Sequence, residues 1–503
     1  MFRFAPFQPA RRLQLLPRLA TAACLTGLVA QVAATDFRIN ITADIADADT
    51  SDGRCDADAD RADEQCSLRA AAEQLLSLPA GKHRILLDRL PAGSRLRIEG
   101  ETIRVPAGTE LLGNTERLLP VTASTTAQRP LFAIEGDGGI RLSGLDIRLG
   151  SDAGSLLAMQ DPQQSAGLAD LRIGSTIATT QRAVPALRLV AGHVDCLRCR
   201  FVDGGSTAID VRGGELRLVD SLVSDNRGAD GGGLHITGGR VWLQRSEVSR
   251  NRSEADGGGI RQSGGELWMV NSLLRGNLAA RGGGGLAISG GVAELQNSSV
   301  IGNVANANAG GEQIGGGLLS EGKAQVRLRN SIVSANRVLA MTFGNECAGS
   351  EIFADAANFI GPDPGCQPRS ADNDLVLRSA AAMTTTMRPL PWGGLRVMAM
   401  PSPGHPAIDA GVSGCLADID LDADTPDQPL LIDLRQLPRP AVNGARRCDL
   451  GAIQTRCDTT CTDTVVQSAP SDAAVTTSEL RLQTRTDSPH ASTAADTPET
   501  SRP

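Results

Sequence analysis

A chain of 503 residues, 41% hydrophobic and 21% charged, is long enough to bury a real core and too long for one compact globule, so an elongated or multi-part architecture is expected. Tyrosine is absent, aromatics make up 2% and Gly numbers 56, so the core must come from Leu, Ile, Val and Ala on a chain that turns often. A net charge of -8 without any concentrated Lys/Arg run excludes nucleic acid as the partner.

The chain opens with Arg3, Arg11, Arg12 and Arg18, an apolar run from Leu19 to Val29, and Val32-Ala33-Ala34. That order reads as a cleaved export signal over residues 1–34. Cys24 sits inside the apolar run after Thr21-Ala22-Ala23, a poor lipidation match because an aliphatic residue is wanted where Thr21 stands. No later segment approaches the roughly 18 apolar residues of a membrane span.

Signal removal leaves ten cysteines in five successive close pairs: Cys55 and Cys66, Cys196 and Cys199, Cys347 and Cys366, Cys415 and Cys448, Cys457 and Cys461. Local disulfides formed in an oxidising compartment suit that pattern. Cys196-Leu197-Arg198-Cys199 also has the spacing of a redox or metal half-site, but no second such pair with nearby His accompanies it.

Over residues 35–82 an acidic stretch with Asp44, Asp47, Asp49, Asp52, Asp56, Asp58 and Asp60 leads into CSLRAAAEQLLSL from Cys66. Leu68, Ala71, Ala72, Leu75 and Leu76 share one helical face and Pro79 ends the run, which makes a plug for the end of a repeat array.

The repeats follow over residues 83–370. Segments beginning at Glu215, Arg240, Glu266, Val292 and Ala324 align, with Asn226, Asn251, Asn277, Asn303 and Asn336 recurring at intervals of 25, 26, 26 and 33 residues, and Ser221, Ser246, Ser272, Ser298 and Ser331 keeping step. Three residues before each Asn the column is uniformly apolar (Val223, Val248, Leu274, Val300, Val333). Four before, it is mixed (Leu222, Glu247, Leu273, Ser299, Ile332), as expected for inward and outward strand positions.

A coil of about 26 residues, rich in alternation and Gly, fits short strands joined by tight corners and stacked in parallel. Some eleven coils about 4.8 Å apart give a rod on the order of 50 Å. The recurring Asn reads as a structural ladder at a corner.

Two of the three tryptophans, Trp242 and Trp268, stand one coil apart between inward-facing neighbours. Both indoles should therefore point outward and stack, with Arg217 and Glu294 on the flanking coils. Such a shelf offers a sugar or protein contact, and its structural alternative is a stack that only shields the sheet.

Residues 371–454 carry Asp418, Asp420, Asp422 and Asp424 in alternation, and calcium is the one cofactor that this and the N-terminal acidic run suggest. Neither has the Gly and distal Glu of an EF-hand loop, so a solvated acidic loop is the competing reading. Residues 455–503 are rich in Thr, Ser, Ala and Asp and read as a disordered tail.

Phe37 to Gln74 resembles the CSLREA motif region that opens many bacterial secreted β-helix proteins, with Ala70 where that family has Glu. The coils are similar to the repeats of pectate lyase-like proteins, and their Gly-Gly-Gly-Leu/Ile segments to those of polymorphic outer membrane proteins without the Phe. Ser402 to Gly411 and Asp433 to Gln454 resemble the choice-of-anchor Q domain, although Asp433-Leu434-Arg435-Gln436 replaces the usual Asp-Gln-Arg-Gly.

These resemblances imply an all-β, right-handed parallel β-helix, secreted or held at the cell surface. Its expected role is non-catalytic adhesion, or binding of a polysaccharide, a matrix or another cell surface. The alternatives are a polysaccharide lyase or glycoside hydrolase and a purely structural surface protein. Neither the paired Asp with Gly-His-Gly of polygalacturonases nor the Arg motifs of pectate lyases is present, and His235, His193 and His405 are sparse material for general-base work.

Overall fold

The computed structural model describes residues 34–58, 63–79, 81–125, 128–151, 153–176, 184–305, 315–339, 345–349 and 351–370, then short stretches (375–378, 383–389, 395–401, 405–411, 416–417, 428–430, 432–436, 439 and 448–454). The chain is an all-β parallel solenoid of about ten turns, with one helix among the described residues. Its strands form sheets of 22, ten and five parallel strands along the rod.

The largest sheet is two faces in one. Gly138–Leu149 and Gln164–Ser175 each run unbroken across both. In later coils the chain breaks between the faces, as at Glu215–Val219 and Leu222–Ser224.

The break has a backbone cause. Asp170, Arg198, Asp220, Arg245, Asn271, Asn297 and Asn330 stack at this corner with φ between 47° and 54°. A second left-handed column of Asp203, Asp225, Arg250, Gly276, Gly302 and Ala335 turns the chain after the second face. Asp, Asn and Gly tolerate that conformation, whereas Arg and Ala hold it at a cost of about 1 kcal/mol or more, borne by the packing around them.

From Asp220 onward in the first column and Asp225 onward in the second, each left-handed residue is followed by a buried Ser or Asn that satisfies the corner. Ser246 Oγ donates to Leu218 O at 2.9 Å and accepts from Ser221 N at 3.1 Å. Asn251 Nδ2 donates to Val223 O at 2.9 Å and to Asn277 Oδ1 at 3.1 Å, while its own Oδ1 accepts from Asn226 N and Nδ2 at 3.1 and 2.9 Å. Asn226, Asn277, Asn303 and Asn336 repeat the pattern. Net contributions near 1 kcal/mol per bond, repeated at every rung, turn a buried polar column into a continuous stitch.

The core is a column of aliphatics with all but no exposure: Leu216, Val241, Leu267, Ala293 and Val326 on the first face, and Ile209, Leu234, Ile260, Leu286 and Leu318 on the ten-stranded sheet. Burying each aliphatic is worth roughly 1.5–3 kcal/mol. The Gly runs close the coil: a Cβ on Gly258 would stand 2.4 Å from Gly284 O, backbone of the next rung.

The helix Leu68–Ser77 lies across the first rungs, its N-cap Ser67 accepting from Ala70 N and its Leu68, Ala71, Ala72 and Leu75 joining the core. The stack begins before His83, because Asp36–Arg38 pairs in parallel with Arg84–Leu86. At the far end Leu375–Arg378 adds one more parallel strand, and Met383–Pro389 and Leu395–Pro401 form an antiparallel hairpin.

The chain then returns along the side of the rod. Leu434, Leu450, Ala452 and Ile453 cluster with Leu273, Ile301 and Ile332 of the second face. Buried Arg439 donates to Asn271 Oδ1 and to Gly451 O, both at 2.8 Å, and Ala452 N donates to Ser299 Oγ at 3.0 Å. The outward column Leu222, Glu247, Leu273, Ser299 and Ile332 is buried throughout, and the strap covers Leu273, Ser299 and Ile332.

Candidate functional site

Two outward arrangements stand apart from the structural columns. The first lies on Arg240–Gln244 and Glu266–Val270, where Val241, Leu243, Leu267 and Met269 fill the interior and leave Trp242 and Trp268 pointing out, both half-buried. In-register parallel pairing sets one directly over the other, with ring centroids 5.3 Å apart and planes 15° from parallel. Arg217 closes one end, its guanidinium carbon 5.1 Å from the Trp242 ring, and Glu294 follows Trp268 at the other. The stack is worth about 0.5–1.5 kcal/mol beyond burial and the cation contact about 0.5–1 kcal/mol, enough to hold both rings in place.

A charged rail runs beside the rings. His193, Glu215, Arg240 and Glu266 occupy successive rungs. Arg240 Nη1 is 3.2 Å from Glu215 Oε1 and its Nε 3.8 Å from Glu266 Oε2. His193 is clamped between Asp195 (Nε2 to Oδ2, 2.8 Å) and Glu215 (Nδ1 to Oε2, 3.3 Å), and these bonds, Asp195 first, push the imidazole up to about 9, while the same contact lowers Glu215. His193 is therefore a cation at neutral pH. On the other flank the strap approaches, with Leu430 and Cys448 packed on Val270.

The second arrangement is a cleft of about 290 Å³ on the ten-stranded sheet, lined by Arg188, Asp210, His235, Thr207, Arg227 and Glu254 among others. Asp210 lies between Ile209 and Val211, both fully buried, so it points out of the coil, yet its side chain is only 8% exposed. Arg188 and Arg212 share its Oδ2, their Nε atoms at 3.3 and 3.0 Å, and His235 Nδ1 is 3.8 Å from Oδ1. The local sequence Ile209-Asp210-Val211, a lone acid in an apolar strand, was the one available sign of it.

Of the cysteines, Cys55 is bonded to Cys66, Cys196 to Cys199 and Cys347 to Cys366. The Cys196–Cys199 bridge spans the first corner, with both residues buried in the interior column. Cys448 is disulfide-bonded, whereas Cys415, Cys457 and Cys461 lie outside the described residues.

Asp418, Asp420, Asp422 and Asp424 also lie outside them. In the N-terminal acidic run the carboxylates serve local structure: Asp49, Asp52 and Asp56 accept backbone N–H groups two residues on, and Asp44 takes Arg69 in a bidentate pair. Among the described residues no group of three or more His, Cys, Asp or Glu is placed to hold a metal ion, and no helix is long and apolar enough to cross a membrane. Asp225, on an exposed corner, and Asp256, which is buried, pair with Arg250 and Arg281, each at 2.6 Å. No family model, curated protein or solved structure matches the chain.

Proposed function

We propose that the chain is an exported β-helix of the CSLREA and choice-of-anchor Q kind, displayed on or released from the cell, and that it binds a polysaccharide, matrix or neighbouring surface through the Trp242 and Trp268 face without turning it over there. The carrying observation is the stack itself: two half-buried indoles fixed on adjacent rungs and edged by Arg217, Arg240 and Glu294. Flat apolar rings that stay wet on one side suit the apolar face of a sugar ring, and the charged rail beside them supplies hydrogen-bonding partners. A purely structural surface protein is the competing reading.

Tryptophan emission tests the proposal. The chain holds three Trp, so a Trp392→Phe background leaves Trp242 and Trp268 as the only indoles. Titration with oligosaccharides should shift their emission saturably. A ligand that is retained by the protein yet leaves that emission unchanged would place the contact elsewhere.

A further inference from the structure

The five-stranded sheet changes character along the rod. Its first two strands, Arg227–Gly228 and Arg252–Ser253, and the corner before them carry charge that is matched locally: Arg227 pairs with Glu254, and Arg250 with Asp225. In the next coils the outward positions turn apolar. Leu278 and Val304 follow Arg252 in register and Arg337 comes after them, while the corner column reads Gly276, Gly302 and Ala335 where earlier coils have Asp225 and Arg250. Leu278 and Val304 are half-buried and Leu339 is 39% exposed. Arg252 and Arg337 stand exposed at the two ends of the column, neither of them in an ion pair among the described residues.

The result is an apolar strip between two unmatched cations, three rungs or about 14 Å apart. A second copy of the strip laid on it would set cation against cation, so its complement is acidic. The chain itself supplies one. Residues 458–479 hold Asp458, Asp463, Asp472 and Glu479 with no Lys or Arg, and Val465, Val466 and Val475 among them. The strap also delivers the chain to the right place: the described residues end at Gln454, and Ile453 packs with Leu273, Ile301 and Ile332 on the second face, in the coils that carry Leu278, Val304 and Arg337. From there only the corner of Gly276, Gly302 and Ala335 separates it from the strip, and a Cβ on Gly302 would meet nothing within 4 Å.

We propose that the acidic segment 458–479 docks on the strip of Leu278, Val304 and Leu339, its carboxylates facing Arg252 and Arg337, and so extends the strap around a second side of the rod. Trp242 and Trp268 lie on another sheet, so this docking and the glycan-binding face stand or fall separately. Exposed ion pairs are individually weak and screened by salt, which makes the docked state sensitive to ionic strength.

Amide NMR on the isotope-labelled full-length mature protein tests this. A segment free of the rod gives narrow signals, and one held on it takes the linewidth of the rod. At low salt the signals of 458–479 should be lost from the narrow set while those of 485–503 remain, at every protein concentration. Raising salt to about 1 M, where the screening length is about 3 Å, should return them. The double substitution Arg252→Gln and Arg337→Gln, at exposed sites where folding is not at stake, should return them at low salt. Narrow signals from 458–479 in the wild type would overturn the proposal, as would broadening that survives the double substitution, or broadening that disappears on dilution and therefore belongs to a second copy.

Discussion

Asn336 ends the asparagine ladder on Glu346: its backbone N and Nδ2 donate to Glu346 Oε2 at 3.2 and 2.7 Å, where every earlier rung meets another Asn. The carboxylate is 4% exposed. Burial, reinforced by Asp363 and only partly offset by the Asn336 bonds, pushes it up to about 7.

A raised carboxylate favours the folded state most when protonated. The contribution of Glu346 is complete below its ordinary value of 4.5 and is lost as pH rises through about 7, a change on the order of 3 kcal/mol. Glu346→Gln keeps an acceptor for Asn336 and removes the ionisation. Thermal unfolding of the two proteins should give similar midpoints at pH 4.5 and a relative gain for the variant at pH 8. Parallel pH profiles would contradict the assignment.

His193 follows the same sign at higher pH. Its pKa is raised to about 9, so the stability it contributes is present below its ordinary 6.5 and fades as pH rises through 9. Imidazole resonances of His193 should titrate near 9, and Glu215→Gln should move the midpoint down, because one of the two clamping carboxylates is gone.

The ladder and the glycine run fail for different reasons. Asn277→Ala strips the acceptor from Asn251 N and Nδ2 and the donor to Val248 O, which predicts a loss of about 2–4 kcal/mol. Gly258→Ala removes no bond but drives a methyl into the Gly284 carbonyl, 2.4 Å away, and the rung must shift at about 1–3 kcal/mol. Urea unfolding followed by circular dichroism checks both, and a neutral result for either removes that element from the account of the rod's stability.

The strap should detach before the rod melts. Arg439→Met deletes the buried donor to Asn271 Oδ1 and Gly451 O. Hydrogen exchange should then speed up across 448–454 and uncover Leu273, Ile301 and Ile332, while Leu216 to Leu328 in the interior column stay protected. Exchange rising uniformly along the chain would mean that the strap is part of one cooperative unit.

The coil was legible because its causes are local and repeated: the Asn ladder with its interval of about 26 residues, the apolar column through Val248 and the Gly runs recur through the coils that begin at Glu215, Arg240, Glu266 and Val292. What escaped depends on residues far apart. The column Leu222, Glu247, Leu273, Ser299 and Ile332 looks mixed because it faces out of the coil, and a segment 153 residues beyond Ser299 covers Leu273, Ser299 and Ile332. The left-handed corners at Arg198 and Arg245 carry no turn residue, since stacked neighbours rather than local preference hold them. Gln436 takes a left-handed turn, with φ 65°, without a Gly to mark it in the sequence. The outward placement of Trp242 and Trp268 follows from strand alternation, whereas the Asp210 cleft rests on one coil's departure from the repeat, which periodicity cannot signal.

The central claim is that the Trp242 and Trp268 face holds a glycan, and retardation in native gels cast with a panel of acidic and neutral polysaccharides tests it most directly. The wild-type protein should be slowed by at least one polysaccharide, with Trp242→Ala and Trp268→Ala each restoring most of the mobility, since each removes one of the two flat apolar rings on which a sugar would lie. Retardation that survives both substitutions, or the absence of retardation by every polysaccharide, would contradict the account and leave the stack as a shield for the sheet.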